Sequence, residues 1–130
     1  MTNGSPVPAI TPEEIYHESL GELIELRNDF AREKWTLRLA GDAHAADRKA
    51  FLDLRAQIQD QIRDLTNARL SEIAGELTKN EAGLREGIEN CQAAREQFEN
   101  IARAFAAFTA FLRVVGDVAK IAAGVGGKIV

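Results

Sequence analysis

The chain has 130 residues, 45% of them apolar and 28% charged, and its formal net charge is −4, which fits one globular domain. Residues 1–100 carry 12 Lys and Arg against 19 Asp and Glu (net −7), whereas residues 101–130 carry four basic residues against Asp117 (net +3). An acidic body of this kind argues against a general nucleic-acid-binding protein, which spreads Lys and Arg over one face.

The first ten residues, MTNGSPVPAI, lack the basic and apolar regions of a signal peptide. We predict that residues 1–10 form a flexible N-terminal arm. All three prolines lie at or before position 12. Because proline breaks helix interiors, their absence from the following 118 residues predicts an all-α body.

The first predicted helix has a clear start. Thr11 is a candidate N-cap, Pro12 occupies the first helical position, and Glu14 completes a capping box. Gly41 is a candidate C-terminal stop. Apolar side chains recur every seven residues at Tyr16, Leu23, Phe30 and Leu37.

The second predicted helix begins between Asp42 and Asp47 and ends near Leu77. Its opposite face is charged and solvated, as in an ordinary amphipathic helix. The apolar positions are Phe51, Leu54, Ile58, Ile62, Leu65, Ile73 and Leu77. Residues 78–80 (Thr-Lys-Asn) are either a tight turn or a kink in a continuous helix, and both interpretations stay open.

The third predicted helix runs from about Glu81 to about Ala123. Its heptad seam consists of Leu84, Ile88, Cys91, Phe98, Phe105 and Leu112. Beyond Phe98 the charged residues share an arc of roughly 100° on a helical wheel, which leaves an apolar arc of about 260°. A helix with so wide an apolar arc must be surrounded by protein or by lipid.

These elements predict an all-α antiparallel three-helix bundle, or a long helical hairpin, over residues 11–113. With the second turn near Asn80, residues beyond Arg113 have no neighbouring helix in the same chain. We therefore predict an overhanging, Gly- and Ala-rich apolar extension over residues 114–130. The alternative is that the chain bends at Gly116 and folds back over its own bundle.

The wide apolar arc predicts a structural or interaction protein that forms a homo-oligomer or docks on a protein partner. The sequence has no phosphate-binding loop, nucleophile motif or zinc-ligand spacing, so we predict that it is not an enzyme. A soluble monomer rarely exposes an apolar patch as large as this extension. The predicted interface residues are Phe105, Phe108, Phe111, Leu112, Val115, Val118 and Ile121.

The alternative is a membrane-active helical protein whose last helix docks in or inserts into a bilayer. In that case Arg113, Lys120 and Lys128 contact an anionic surface. The longest uncharged stretch in this region covers nine residues, from Ala104 to Leu112, whereas a membrane-spanning helix needs about 20. We therefore predict no ordinary transmembrane helix and a cytoplasmic location by default, or export by a non-classical route.

We assign no catalytic, cofactor-binding or metal-binding residue. Glu14 and His17 have the spacing of a di-iron ligand pair, but the sequence lacks the second such pair that these bundles need. His44 lies between Asp42 and Asp47, where helix capping explains the carboxylates.

Two further side chains, Cys91 and Trp35, are predicted to have structural roles. Cys91 lies on the apolar seam and is predicted to be a core residue, with no histidine near it in sequence. Trp35 is predicted to be a partly buried anchor of the first helix, with a partner-facing role as the alternative.

In general layout, residues 84–130 resemble two broad groups of proteins. One consists of small helical subunits of bacterial secretion or phage-type assemblies. The other consists of α-helical pore-forming proteins, whose apolar segment stays hidden until insertion. The resemblance is compositional and carries no diagnostic motif, so it implies no functional residues.

Overall fold

A computed structural model describes the backbone of residues 11–96 and 100–128 and the side chains of residues 11–96 and 100–121. The predicted arm, residues 1–10, lies outside the described residues. All regular structure in the described part is helical, which confirms the all-α prediction. The helices are α1 (Pro12–Phe30), α2 (Glu33–Arg38), α3 (Ala45–Asn67), α4 (Leu70–Lys79), α5 (Glu81–Glu96) and α6 (Ile101–Lys128), with a 3-10 turn at Asp42–His44.

The start of α1 is the predicted capping box. Thr11 Oγ1 accepts a hydrogen bond from the Glu14 backbone N–H (3.1 Å), and Glu14 Oε1 accepts one from the Thr11 backbone N–H (3.2 Å). The predicted first helix is divided, because Arg32 has extended backbone angles between α1 and α2. Gly41, with φ of 97°, follows α2 in the left-handed region that favours glycine.

The boundaries of the second predicted helix are correct only at its start. The α3 helix begins within the predicted window but ends ten residues early, because Ala68 and Arg69 have extended backbone angles. At Asn80 the helical hydrogen bonding continues from α4 into α5: its N–H donates to the Glu76 carbonyl, and its own carbonyl accepts from the Leu84 N–H, both at 2.9 Å. The kinked continuous helix is therefore closer to the structure than the tight turn.

The prediction of one continuous third helix is wrong. The predicted segment consists of α5 and α6, which pack antiparallel on each other. Gly83 lies against Val114 and Gly87 against Phe111. A Cβ at Gly87 would lie 2.7 Å from Phe111 Cδ1, so glycine permits this close approach of the two helices.

The other helices surround this pair. Tyr16 donates to the Leu65 carbonyl (2.7 Å) at one end of α1, and Phe30 stacks on Phe51 at the other, so α1 and α3 are antiparallel. The α6 helix packs on α3, α4 and α5, and α1 packs on α3, α4 and α5. The predicted overhang past Arg113 is absent over residues 114–121, because the fold-back of α6 brings neighbouring helices alongside.

Candidate functional site

The α6 helix occupies a slot in the remainder of the chain. We define the α6 slot by the side chains and glycines that face α6: Phe30, Trp35, Gln61, Gly87 and Cys91. They come from α1, α2, α3 and α5, so the slot closes around α6 from several sides. This arrangement accounts for the wide apolar arc of α6 that the sequence shows.

The predicted interface residues form the inner side of α6. Phe108 and Phe111 are fully buried, and Ile121 is half-buried. The other four members are buried as well: Phe105, Leu112, Val115 and Val118. Ala119, which was not predicted, is buried beside them. A single chain therefore already covers the surface that the sequence assigns to a partner.

Two of the three residues predicted to contact an anionic surface, Arg113 and Lys120, have described side chains, and both point away from the slot. Arg113 and Lys120 are exposed, while the Lys128 side chain lies outside the described residues. The exposed side of α6 also carries small residues, among them Ala102, Ala106 and Ala110. The solvent-facing strip of α6 therefore mixes charged residues with small ones.

Aromatic rings close one end of the slot. Phe105 stacks on Trp35 with ring centroids 5.7 Å apart, and Phe108 meets the edge of Phe30 at 5.5 Å. Such pairs contribute about 0.5–1.5 kcal/mol each beyond the area they bury. Trp35 is 1% exposed, and its indole N–H donates to Asp29 Oδ2 at 2.9 Å. Trp35 is thus more deeply buried than the sequence predicts.

Four charged residues tie the end of α5 to α1 and α2, and we call them the Arg95 clamp: Glu22, Asp29, Lys34 and Arg95. Arg95 donates to both carboxylate oxygens of Glu22, at 2.8 and 2.9 Å. Lys34 Nζ lies 3.0 Å from Asp29 Oδ1 and donates to the Arg95 carbonyl at 3.0 Å. Bidentate pairs of this kind are directional, so the clamp fixes where α5 ends relative to α1.

Burial governs the electrostatics of this clamp. It raises the pKa of Glu22 above 4.5, while the hydrogen bonds and charge of Arg95 act in the opposite direction. Sequence reasoning missed the clamp, although the spacing contained a signal. Ile15, Glu22 and Asp29 are seven residues apart, so both carboxylates share the buried face of α1 with an apolar residue.

Cys91 is a core residue, as the sequence predicts. Its thiol is fully buried and donates to the Ala107 carbonyl across the α5–α6 contact (3.7 Å). Burial raises the pKa of this thiol far above its ordinary value. The thiolate needed for nucleophilic chemistry is therefore strongly disfavoured.

Each of the two histidines considered as a metal ligand lies beside a carboxylate. His17 lies 3.8 Å from Glu13, and His44 Nδ1 lies 3.0 Å from Asp47 Oδ2. Across the described part of the chain, no group of three His, Cys, Asp or Glu side chains could hold a metal ion.

A second apolar surface lies outside the slot. Leu37 and Leu52 are 69% and 50% exposed. Leu52 lines a shallow groove with Trp35, Leu39 and Phe51. Trp35 belongs to both the groove and the α6 slot, so the two surfaces adjoin.

Within residues 11–96 and 100–128, no helix combines the length and hydropathy needed to cross a membrane. Comparisons with protein-family models, curated proteins and solved structures gave no match to this chain.

Proposed function

We propose that this protein is a non-enzymatic interaction protein that assembles by helix-in-groove packing. The α6 helix is the inserted helix and the α6 slot is the groove. The occupant of the slot is α6 itself, α6 of another copy, or an apolar helix of a protein partner. The observation that carries this proposal is the burial of the apolar side of α6 among side chains from several other helices.

If α6 leaves the slot, burying its apolar side again is energetically favourable. Each large side chain such as Phe108 or Phe111 contributes about 1.5–3 kcal/mol on transfer out of water. An unpacked α6 would expose several of them together, which is unfavourable in solution. Apolar packing is non-directional. The slot of a second molecule can therefore bury α6 to the same extent as the slot of its own chain.

The charge distribution favours the same type of contact. The net charge is −7 over residues 1–100 and +3 over residues 101–130. The region containing α6 is therefore attracted to the acidic body of any copy of the chain, with an effect that weakens as salt rises.

A peptide competition experiment tests this proposal. A fluorescent peptide covering residues 100–121 is titrated with the full chain, and binding is followed by fluorescence anisotropy. We expect saturable binding, because the peptide carries the buried side of α6. A control peptide with Phe108→Asp and Phe111→Asp should not bind. The proposal is contradicted if the chain stays monomeric from about 1 to 100 µM and does not bind the first peptide.

A membrane-active protein is the second candidate. The observation that favours it is a helical hairpin, α5 with α6, whose apolar side is hidden while Arg113 and Lys120 face outward. Release of such a hairpin would place apolar residues in the interface and cations near anionic headgroups.

Dye release from vesicles separates this candidate from the first. Vesicles with anionic lipid should leak more than purely zwitterionic vesicles, and the double variant Arg113→Glu/Lys120→Glu should abolish that difference. Equal, background-level leakage from both vesicle types rejects the membrane candidate.

A further inference from the structure

We infer that the partner that fills the α6 slot is a second copy of this chain, by reciprocal exchange of α6. Each copy would place its α6 in the slot of the other, with α5 and α6 running on as one helix. This inference rests on the proposed helix-in-groove function and specifies its occupant.

The sequence between the two helices is compatible with both arrangements. Only four positions separate Glu96 at the end of α5 from Ile101 at the start of α6. No glycine or proline occurs between Gly87 and Gly116. The seven-residue repeat also keeps its phase across the connection, at Leu84, Cys91, Phe98, Phe105 and Leu112. Short connections between packed elements favour exchange between copies.

The contacts of α6 are the same in the closed monomer and in the exchanged dimer. In both, Gly87 meets Phe111 and the Cys91 thiol meets the Ala107 carbonyl, within one chain or between two. The two states therefore differ chiefly at the connection and in the entropy of association.

One feature beside the connection favours the closed monomer. Asn100 caps α6, since its Oδ1 accepts from the Arg103 N–H at 3.0 Å. The Arg95 clamp joins only α1, α2 and α5, so it is retained in both states. A continuous helix would lose the Asn100 cap, so the exchanged dimer should be populated at high protein concentration rather than at low concentration.

A disulfide placed across the α5–α6 contact tests the exchange directly. A Cβ at Gly83 would lie 3.5 and 3.7 Å from the two Cγ atoms of Val114, so cysteines at these positions are within bonding reach. The double variant Gly83→Cys/Val114→Cys is separated by size exclusion under reducing conditions. The monomer and dimer fractions are then oxidised and run on a non-reducing denaturing gel.

We expect the dimer fraction to become a covalent dimer and the monomer fraction to keep the mass of one chain. The single variants Gly83→Cys and Val114→Cys are the controls for crosslinking through other contacts. A dimer fraction that yields only single chains on the gel overturns the exchange but leaves helix-in-groove assembly standing. A chain that forms no dimer at any concentration also overturns the exchange, and binding of the residue 100–121 peptide then decides the proposed function separately.

A proline substitution gives an independent test that does not depend on crosslinking. Ala102 is exposed in the first turn of α6. Among the described residues, the first backbone bond of this turn runs from the Ala104 N–H to the Asn100 carbonyl. Proline is tolerated in a first turn but breaks a continuous helix. Ala102→Pro should therefore raise the dimer dissociation constant about a hundredfold or more, whereas Ala102→Ser should change it little. Equal dissociation constants for Ala102→Pro and the wild type overturn the inference.

Discussion

The α3 and α6 helices use the same backbone geometry but hold different positions in the fold. The α3 helix buries Leu54, Ile58 and Leu65, half-buries Phe51 and Ile62 beside them, and leaves its opposite side exposed. The α6 helix buries residues on several sides and is packed by α3, α4 and α5. The comparison shows that the width of an apolar arc predicts how many neighbours a helix needs. It does not predict which molecule supplies those neighbours.

The largest expected difference between the two helices is in the cost of truncation. Phe108→Ala removes a fully buried ring that packs on Phe30 and should lower the free energy of unfolding by about 3–5 kcal/mol. Leu52→Ala on the outer side of α3 is the control and should cost less than about 1 kcal/mol. Urea denaturation measures both. Similar losses for the two variants would mean that α6 is not the central helix in solution.

The next effect concerns the clamp that positions α5 beside α6. Arg95→Ala leaves the carboxylate of Glu22 buried without its bidentate partner, which should cost about 3 kcal/mol. The double variant Glu22→Gln/Arg95→Met should recover part of this loss, because no buried charge remains unpaired. A double variant that is less stable than Arg95→Ala would contradict this account of the clamp.

Two glycines provide a smaller but sharper comparison between a packed and an open helix surface. Gly87→Ala places a Cβ against Phe111 and should lower stability by about 1–3 kcal/mol despite the better helix propensity of alanine. Gly75→Ala in α4 meets nothing within 4 Å and should raise stability by up to about 1 kcal/mol. Thermal unfolding of both variants is the measurement. A stabilising Gly87→Ala would show that α5 and α6 are further apart than described.

The smallest expected effect is a dependence of stability on pH through Glu22. Because burial raises its folded-state pKa, the native protein binds this proton more tightly than the unfolded chain does. The resulting contribution to stability is fully present below about pH 4.5 and is lost as the pH rises through the folded-state pKa. Glu22→Gln should remove this slope in urea titrations between pH 4 and 7, and Glu25→Gln on the exposed side should retain it. An unchanged slope in Glu22→Gln would assign the dependence to another group.

Much of the local structure could be predicted from the sequence. The capping box at Thr11 follows from side chains that bond the backbone locally. Gly41 follows the end of α2 by three residues and adopts the positive φ that glycine allows. The need for neighbours on several sides of α6 also follows from its sequence alone. Such features depend on interactions within a few residues, or on the periodicity of one helix.

The end of α5 could not be predicted in the same way. No proline or glycine marks it, and the heptad repeat runs through it. The close approach of Gly87 to Phe111 and the clamp at Arg95 stabilise the fold-back, and both are contacts between distant parts of the chain. Asn100 was the local signal, because asparagine is a favoured N-cap.

The hydrogen bond from Gln61 to α6 constrains how this protein can vary in sequence. Its Nε2 donates to the main-chain carbonyl of Leu112 (2.8 Å) and lies 3.4 Å from the place where a Cβ at Gly116 would stand. Every amino acid has a main-chain carbonyl, so this bond can fix the axial position of α6 relative to α3 whatever side chain occupies position 112. A substitution at position 112 changes the packing volume but keeps this hydrogen bond. A larger side chain at position 116 would instead press against the Gln61 amide. Variation in α6 is therefore constrained at Gly116, which packs against a glutamine, as well as at its buried phenylalanines.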